Sequence, residues 1–271
     1  MHPFPHIAIY GLGRFGRALH EAVTALGMPA RSGGRATGAA ALLRDLPAGS
    51  LVVLSVPDDA IATVASGFAA LPDCNAYAYV HACGAWGPAL LQPLAKAGAA
   101  TGAFHILQSF PAQGGAARIK GSWCAVDAPA GLHENLFALA GALGAHPFTL
   151  PETARAAYHA AAVVASNALV ALLGMAQQIA SQGGIQSDAA AQMLLPLVRG
   201  TLANVEAHGV AAALTGPVAR GDAETLRRHL SAMDDESAAG YRAALELTIR
   251  FALDACRITQ DQAATLRAAL K

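Results

Sequence analysis

The feature that most constrains this chain is a glycine-rich turn between a strand-like run and a helical run. Residues 11–16 read Gly11, Leu12, Gly13, Arg14, Phe15, Gly16, a GxGxxG spacing that directly follows the apolar run of residues 6–10. Glycines at this spacing permit a tight turn, a close approach of the backbone to a pyrophosphate, and close helix–strand contact. The free N–H groups at the start of the helix attract phosphate. The position predicts a dinucleotide site, and a purely structural turn is the alternative.

The pattern downstream of this turn predicts two domains. Apolar strand-like runs alternate with helix-length segments up to residue 150, which is typical of an α/β fold with a doubly wound parallel sheet. The predicted strands are residues 6–10, 29–35, 50–57, 76–81, 101–105, 123–126 and 146–150. After Pro151 only helical periods appear, at residues 152–182, 188–207, 222–233, 238–256 and 259–270. We therefore expect a dinucleotide-binding domain over residues 1–150 and an all-helical domain over residues 151–271.

Composition excludes several classes of function. Of 271 residues 54% are apolar, and 18 basic residues balance 18 acidic ones. Without a net positive charge we expect no nucleic-acid or membrane-surface partner. The cysteines, Cys74, Cys83, Cys124 and Cys256, lack CxxC spacing, so we predict buried thiols, no metal site and a reducing compartment. The first residues lack the pattern of a signal peptide, and we expect a cytoplasmic protein.

One segment is long enough to span a bilayer. Residues 156–180 contain no Asp, Glu, Lys or Arg. The segment is built on alanine, however, and carries His159, Asn167 and other polar residues, which disfavour a membrane span. We predict a helix that is buried on most sides inside the protein, and a homodimer formed through the helical domain.

The second predicted strand indicates which dinucleotide binds. An NAD site places an acidic residue near the end of this strand to hold the ribose hydroxyls. Residues 30–37 contain no carboxylate, and Arg31, Ser32 and Arg35 could instead hold a 2′-phosphate. We therefore predict NADP(H), with a solvated loop as the alternative. Val56 and Pro57 end the third strand and are expected to face the same cofactor.

Polar side chains end two later strands. His81 ends the fourth strand, and His105 and Ser109 lie at the end of the fifth. Because ligands bind outside the carboxyl ends of parallel strands, we expect all three near the reactive half of the site. For each histidine alone, a structural role is equally compatible with the sequence.

Taken together, these residues resemble a family assigned as NADP oxidoreductases. Its members pair a Rossmann-like domain with a C-terminal helical domain of unassigned function. The likeness spans almost the whole chain and rests on residues 11–19, 56–61, 105–111, 158–167 and, most specifically, 213–222. The architecture is also similar to that of pyrroline-5-carboxylate reductase, ketopantoate reductase and the 6-phosphogluconate dehydrogenase group. The resemblance implies reduction of the carbonyl or imine of a small oxo or imino acid, ketopantoate-like or similar.

The chain departs from that pattern at one catalytic position. Ketopantoate reductase and the 6-phosphogluconate dehydrogenase group carry a lysine one helical turn before an asparagine. Asn167 matches the asparagine, but Val163 occupies the position of the lysine. His159, one further turn back on the same helix face, is the candidate replacement. We predict His159, Asn167 and His105 as the catalytic residues, with a histidine able to give a proton near neutral pH.

An anionic small-molecule substrate also needs a binding group. Arg220 offers a bidentate fork for a carboxylate. We predict it as a substrate-binding residue together with His81, Ser109, Thr215 and Asp222. Asp222 is also a candidate helix N-cap. We expect His159, Asn167 and Arg220 to meet the nicotinamide across a cleft, with His81, His105 and Ser109 on the opposite wall. A non-catalytic NADP-binding redox sensor or assembly partner is the alternative function, because the usual proton donor is absent.

Overall fold

The computed structural model describes residues 2–271, which divide into two compact units. The first unit extends to Ser166, and the second runs Asn167–Lys271. The first unit contains a seven-stranded sheet in the order β2-β1-β3-β4-β5-β6-β7. Its strands are β1 (Ile7–Tyr10), β2 (Ala30–Gly33), β3 (Leu51–Leu54), β4 (Ala78–His81), β5 (Ala100–Leu107), β6 (Trp123–Asp127) and β7 (His146–Thr149). All seven predicted strands are confirmed.

Helices cover both faces of this sheet. They are α1 (Arg14–Ala25), α2 (Ala39–Leu43), α3 (Ile61–Ala69), α4 (Gln92–Lys96), α5 (Ala130–Ala142) and α6 (Glu152–Val163). Buried residues of α1 and α5, such as Leu19 and Leu136, share a core with one sheet face. Residues of α2, α3 and α4, such as Leu42 and Phe68, share a second core with the other face. A sheet with both faces covered explains why β3 is a continuous apolar run.

The sequence pattern predicted a parallel sheet, but one pair of strands is antiparallel. Strand β6 runs antiparallel to β5, whereas the other five strand pairs are parallel. A parallel pair needs a crossover connection, usually a helix. The segment between Leu107 and Trp123 forms only a short 3₁₀ turn, Ala116–Arg118, so the chain returns in the opposite direction.

The second unit is helical. Its helices are α7 (Leu169–Gln182), α8 (Ser187–His208), α9 (Val210–Ala213), α10 (Pro217–Arg220), α11 (Ala223–Leu230), α12 (Asp235–Asp254) and α13 (Gln260–Ala269). No strand follows β7 in the described chain. The predicted capping box at the start of α13 is confirmed, since Thr259 and Gln262 exchange side-chain and backbone hydrogen bonds. Pro196 lies inside α8, as expected.

Helix α6 belongs to the first unit, although we had expected it to open the helical domain. Its buried residue Arg155 and its Tyr158 and His159 pack against residues from the strand ends. A π-helical turn, Val164–Ala168, then carries the chain into the second unit. The boundary of the functional domains at residue 150 stays a prediction.

The apolar stretch around α7 is not buried within one chain. Residues Glu152–Gln182 are long and apolar enough to cross a membrane by length and composition alone, and the apolar window is 0% buried. The expected burial of this helix is therefore not found within one chain, and its burial at a dimer interface stays a prediction. Val170 on α7 is 69% exposed and Leu197 on α8 is 66% exposed, so an apolar surface of the second unit lacks a cover within the described chain.

Candidate functional site

The glycine turn connects β1 to α1 at the point where the strand order changes direction. Strands β2 and β3 lie on opposite sides of β1, so the carboxyl end of β1 opens into a crevice. Gly11 has a φ of +105°, and a Cβ there would collide with the carbonyl oxygen of Ser55. A Cβ on Gly16 would collide with the carbonyl oxygen of Gly11. The fold itself therefore requires the first and third glycines.

The middle glycine is different. Over residues 2–271, no atom outside the turn lies within 4 Å of the position of a Cβ on Gly13. Gly13 is also the N-cap of α1 and makes no side-chain capping hydrogen bond. The protein's own packing does not demand a glycine there, but a ligand that approaches the backbone does. The open space and the uncapped helix start both fit a pyrophosphate.

A cavity of about 360 Å³ lies beside this turn. It is lined by residues from the carboxyl ends of β1, β3, β4 and β5, including Arg14, Phe15, Val56, Pro57, Asp58 and His105. Parallel strands place their carboxyl ends at one edge of the sheet, which explains how residues so distant in sequence meet. Of the predicted site residues, the structure brings the glycine turn, Val56, Pro57 and His105 together.

The residues predicted to hold a 2′-phosphate have different surroundings. The Arg31 guanidinium donates hydrogen bonds to the carbonyl oxygens of Leu42 and Arg44. Arg31 therefore satisfies carbonyl groups at the end of α2 and would have to exchange these bonds for a phosphate. Arg35 is exposed in the turn after β2, and Ser32 lies on β2 itself. The binding role of these three residues stays a prediction.

His105 lies near the end of β5 and contacts two residues of α6. Its Nδ1 is hydrogen-bonded to the hydroxyl of Tyr158 at 2.8 Å, and its ring centroid lies 6.4 Å from that of His159. Burial, followed by the nearby His159 and Arg155, lowers the pKa of His105 to about 4. His105 is therefore a neutral imidazole at pH 7.

Gly84 leaves a gap between the two histidines. A Cβ at this position would lie 2.8 Å from Nε2 of His105 and 2.9 Å from Nδ1 of His159. The Nδ1 atom of His159 is buried and has no hydrogen-bond partner within the described residues. Two ring nitrogens from different elements thus converge on one small space, which any larger residue than glycine would fill.

His81 is arranged differently from the other two histidines. Its Nδ1 accepts a hydrogen bond from the backbone N–H of Cys83, and its Nε2 lies 2.8 Å from the carbonyl oxygen of Gly87. Burial lowers its pKa, so the ring is neutral and both nitrogens are occupied by backbone groups. This fits the structural role that the sequence left open. Ser109 is exposed, and its backbone N–H donates a hydrogen bond to Oε1 of Gln108.

Four residues near the site were not singled out from the sequence. They are Asp58, Cys83, Arg155 and Tyr158. The Cys83 thiol donates to Asp58 at 2.9 Å, and burial followed by this hydrogen bond raises its pKa to about 11. The position of Tyr158 beside His159 was a signal that could have identified it.

Nothing in the sequence indicated that Arg155 belongs to the site, because an arginine in the first turns of a helix is normally expected to be exposed to solvent. Its side chain is 0% exposed, and its Nε lies 3.6 Å from Asp127 and 4.0 Å from Glu152. None of its guanidinium nitrogens has a hydrogen-bond partner within the described residues. A buried, incompletely paired cation is costly, and Arg155 disfavours a positive charge on His81 and His105.

The other predicted residues belong to the second unit. Asn167 lies in the π-helical turn, a feature that often marks functional positions. Arg220 and Thr215 are exposed. Asp222 is the N-cap of α11 and accepts hydrogen bonds from the backbone N–H and hydroxyl of Thr225, which lower its pKa. The structural role foreseen for Asp222 is confirmed. The catalytic role of Asn167 and the binding roles of Thr215, Arg220 and Asp222 stay predictions.

Comparison with known proteins confirms the two-part organisation. Residues 6–106 match the Rossmann-like domain family, and residues 122–248 match a domain of unknown function, DUF2520. The resemblance inferred from the motifs, a Rossmann-like domain followed by a helical domain of unassigned function, is therefore confirmed. No curated protein matches this sequence.

Several solved structures share the fold. A protein of Bacteroides fragilis, provisionally assigned as an NADP oxidoreductase, is 20% identical, with 91% of this chain and 98% of that one covered and a TM-score of 0.73. A reductive aminase from Aspergillus terreus, solved with NADPH and ethyl levulinate, is 16% identical (98% and 99% covered, TM-score 0.62). The Plasmodium falciparum pyrroline carboxylate reductase with NADP bound is 9% identical (98% and 99% covered, TM-score 0.59).

Proposed function

We propose that this chain, which joins a Rossmann-like domain to a DUF2520 domain, is an NADP(H)-dependent oxidoreductase. Its substrate class is a small oxo or imino acid, ketopantoate-like or similar, whose carbonyl or imine is reduced. The single observation that carries the proposal is the cavity of about 360 Å³, where the open Gly13 turn and His105 line the same space. A cofactor seated on the turn would bring its reactive end toward the histidines.

The chain's own residues suit each part of the cofactor. Gly11 to Gly16 and the start of α1 would hold the pyrophosphate, because the backbone is open above Gly13. Arg35, Ser32 and Arg31 would hold the 2′-phosphate, and no carboxylate in residues 30–37 opposes it. When bound, the reduced nicotinamide supplies the hydride.

The remaining residues would bind and activate the substrate. His159 has a buried Nδ1 without a partner and is the proposed proton donor, with His105 opposite it. Asn167 is proposed as a further catalytic residue, and Thr215, Arg220 and Asp222 are proposed to bind the polar and anionic groups of the substrate. Arg220 is exposed at the end of α10 and has no competing ion pair within residues 2–271.

We also propose a homodimer formed through the helical domain. The uncovered side chains of α7 and α8, among them Val170 and Leu197, support it. A cytoplasmic location is proposed from the four cysteines, which are all free in the described chain. Cys256 is exposed, so the prediction of a buried thiol is wrong for this residue.

A turnover assay tests the proposed activity. NADPH absorbance would be followed with a panel of small oxo acids and cyclic imines, and we expect protein-dependent oxidation with at least one of them. Tight NADPH binding without turnover across the whole panel would contradict the enzyme and favour the redox sensor or assembly partner.

Arg220→Ala tests the anion-binding residue. A charge-assisted hydrogen bond contributes about 1.5–3 kcal/mol, so we expect the KM of an anionic substrate to rise by roughly tenfold to a hundredfold. The affinity for NADPH should not change. Arg228→Ala, an exposed arginine on α11, is the matched control, and an equal effect of both substitutions would contradict the assignment.

A further inference from the structure

The contact between Tyr158 and His105 is the best-defined side-chain pair at the candidate site. The Tyr158 hydroxyl lies 2.8 Å from Nδ1 of His105, and the two rings meet edge to face at 88°. The Tyr158 ring also packs against Phe148, with ring centroids 5.9 Å apart. The phenol is therefore held in place by contacts with two residues.

The direction of this hydrogen bond follows from the partners available. Within residues 2–271, His105 is the one side chain within hydrogen-bond distance of the Tyr158 hydroxyl. Burial raises the pKa of Tyr158 to about 12, so the hydroxyl keeps its proton at neutral pH. If His105 donated from Nδ1, the phenolic hydrogen would have no side-chain acceptor within the described residues, whereas donation from Tyr158 satisfies both the phenolic hydrogen and the lone pair of Nδ1.

Donation from Tyr158 decides the tautomer of His105. A neutral imidazole carries one N–H, so an acceptor at Nδ1 places the proton on Nε2. That Nε2 faces the gap left by Gly84, where a Cβ would lie only 2.8 Å away. The unpartnered Nδ1 of His159 faces the same gap from α6.

Charges around His105 favour the neutral ring. His159, Arg155 and His81 disfavour its protonation, and Asp58 partly opposes them. Arg155 is permanently charged and wholly buried, and its Nε lies 3.6 Å from the carboxylate of Asp127. An imidazolium at residue 105 would add a second poorly solvated cation.

We propose that Tyr158 is a positioning residue that holds His105 in the Nε2–H tautomer, so that His105 activates the substrate as a neutral hydrogen-bond donor. This inference rests on the proposed reductase function and divides the work between the two histidines. His105 polarises the carbonyl or imine through Nε2–H, and His159 gives the proton. A neutral imidazole can polarise a carbonyl in this way because its N–H lies close to the developing charge.

Nitrogen-15 NMR of histidine-labelled protein tests the tautomer without turnover. The full-length protein at pH 7 should show His105 with a protonated Nε2 and a bare Nδ1, the signals being assigned by their loss in His105→Gln. In Tyr158→Phe we expect the His105 signals to shift toward a mixture of both tautomers. A protonated Nδ1 in the wild type, or unchanged shifts in Tyr158→Phe, would overturn the proposal.

The second unit supplies a matched control. Nδ1 of His229 lies 2.6 Å from the hydroxyl of Tyr241, with ring centroids 5.8 Å apart. Tyr241→Phe removes the same kind of hydroxyl from the same kind of pair. It should change the signals of His229 and leave those of His105 unaltered.

Kinetics supply a second readout. With a substrate in hand, Tyr158→Phe should lower kcat about tenfold, or about 1.4 kcal/mol, while NADPH affinity stays within twofold. Tyr241→Phe should not change kcat. If the wild type oxidises no NADPH, the proposed function fails, whereas the NMR experiment still decides the tautomer. Unchanged kcat in Tyr158→Phe would remove Tyr158 from the reaction.

Discussion

The two units of this chain place polar and apolar side chains in opposite ways. The first unit buries polar groups, with His81 and Arg155 both 0% exposed. The second unit exposes large apolar groups, most strongly on α7 and α8. Its own core is small and comes from α10 to α13, with Val218, Leu226 and Ile249 buried.

The first unit covers its apolar faces with its own helices, whereas the second unit leaves part of its apolar surface uncovered in the described chain. Both faces of the sheet are covered within the first unit. The burial of this apolar surface offsets the free-energy cost of burying polar groups at the strand ends. In the second unit α7 has no buried residue in the described structure, and α8 buries Ala190 alone. We expect the first unit to hold the cofactor and the two histidines of the site, and the second unit to depend on assembly to cover its apolar surface.

The largest expected effect concerns that assembly. Val170→Lys combined with Leu197→Lys should convert the homodimer to a monomer, because two charges would have to be buried in an apolar interface. Light scattering at micromolar concentration measures the mass. Leu26→Lys, at an exposed apolar residue after α1, should leave the dimer intact. A monomer mass for the wild type would contradict the proposal that the second unit covers its apolar surface by dimerisation.

The next effect concerns the polar interior of the first unit. His159→Ala should lower turnover about a hundredfold or more if His159 gives the proton, with NADPH affinity unchanged. His133→Ala is the control, since His133 lies on α5 and bonds only to Thr149 in the described chain. Full activity of His159→Ala across pH, with the fold intact, would show that the proton comes from elsewhere.

The buried His105 should make the stability of the fold depend on pH. Its pKa is about 4 in the folded protein and 6.5 as the ordinary value, so below pH 6.5 the unfolded chain binds a proton that the folded one does not. The stabilising contribution is complete above pH 6.5 and is lost as the pH falls toward 4.

Urea unfolding measures this contribution. Between pH 7.5 and pH 5, the wild type should lose about 2 kcal/mol more unfolding free energy than His105→Gln, which cannot titrate. The lowered pKa of His81 is present in both proteins and cancels in the difference. Equal losses would show that His105 titrates normally in the folded state.

The smallest expected effect is the choice of cofactor. NADPH should bind at least tenfold tighter than NADH, about 1.4 kcal/mol, because residues 30–37 offer arginines and no carboxylate. Fluorescence titration of both cofactors measures the ratio. Arg35→Ala should reduce it, while Arg227→Ala, in the second unit, should not. Equal affinities of the wild type would contradict the prediction.

Much of the fold could be predicted because its signals are local. The seven strands follow from short apolar runs, and α13 follows from the spacing of Thr259 and Gln262. The glycine turn was equally visible, since Gly11 adopts a positive φ that other residues rarely accept. The direction of β6 was missed because it depends on the absence of a crossover helix in a loop with no strong pattern.

The candidate site could be predicted only in part, for the same reason. Strand ends placed His105 correctly, but the contact between His105 and Tyr158 joins residues 53 positions apart. No local pattern indicates that Arg155 is buried or that Arg31 bonds to the end of α2.

Short segments of the sequence encode the helices and strands, their order and the glycine turn, because backbone conformation and hydrophobic periodicity are local properties. The partner of Tyr158, the burial of Arg155 and the surroundings of Gly84 can be seen only in the folded chain. These features depend on which distant segments come into contact. The hydrogen bonds and the desolvation of a polar side chain are set by those contacts and not by its residue type alone.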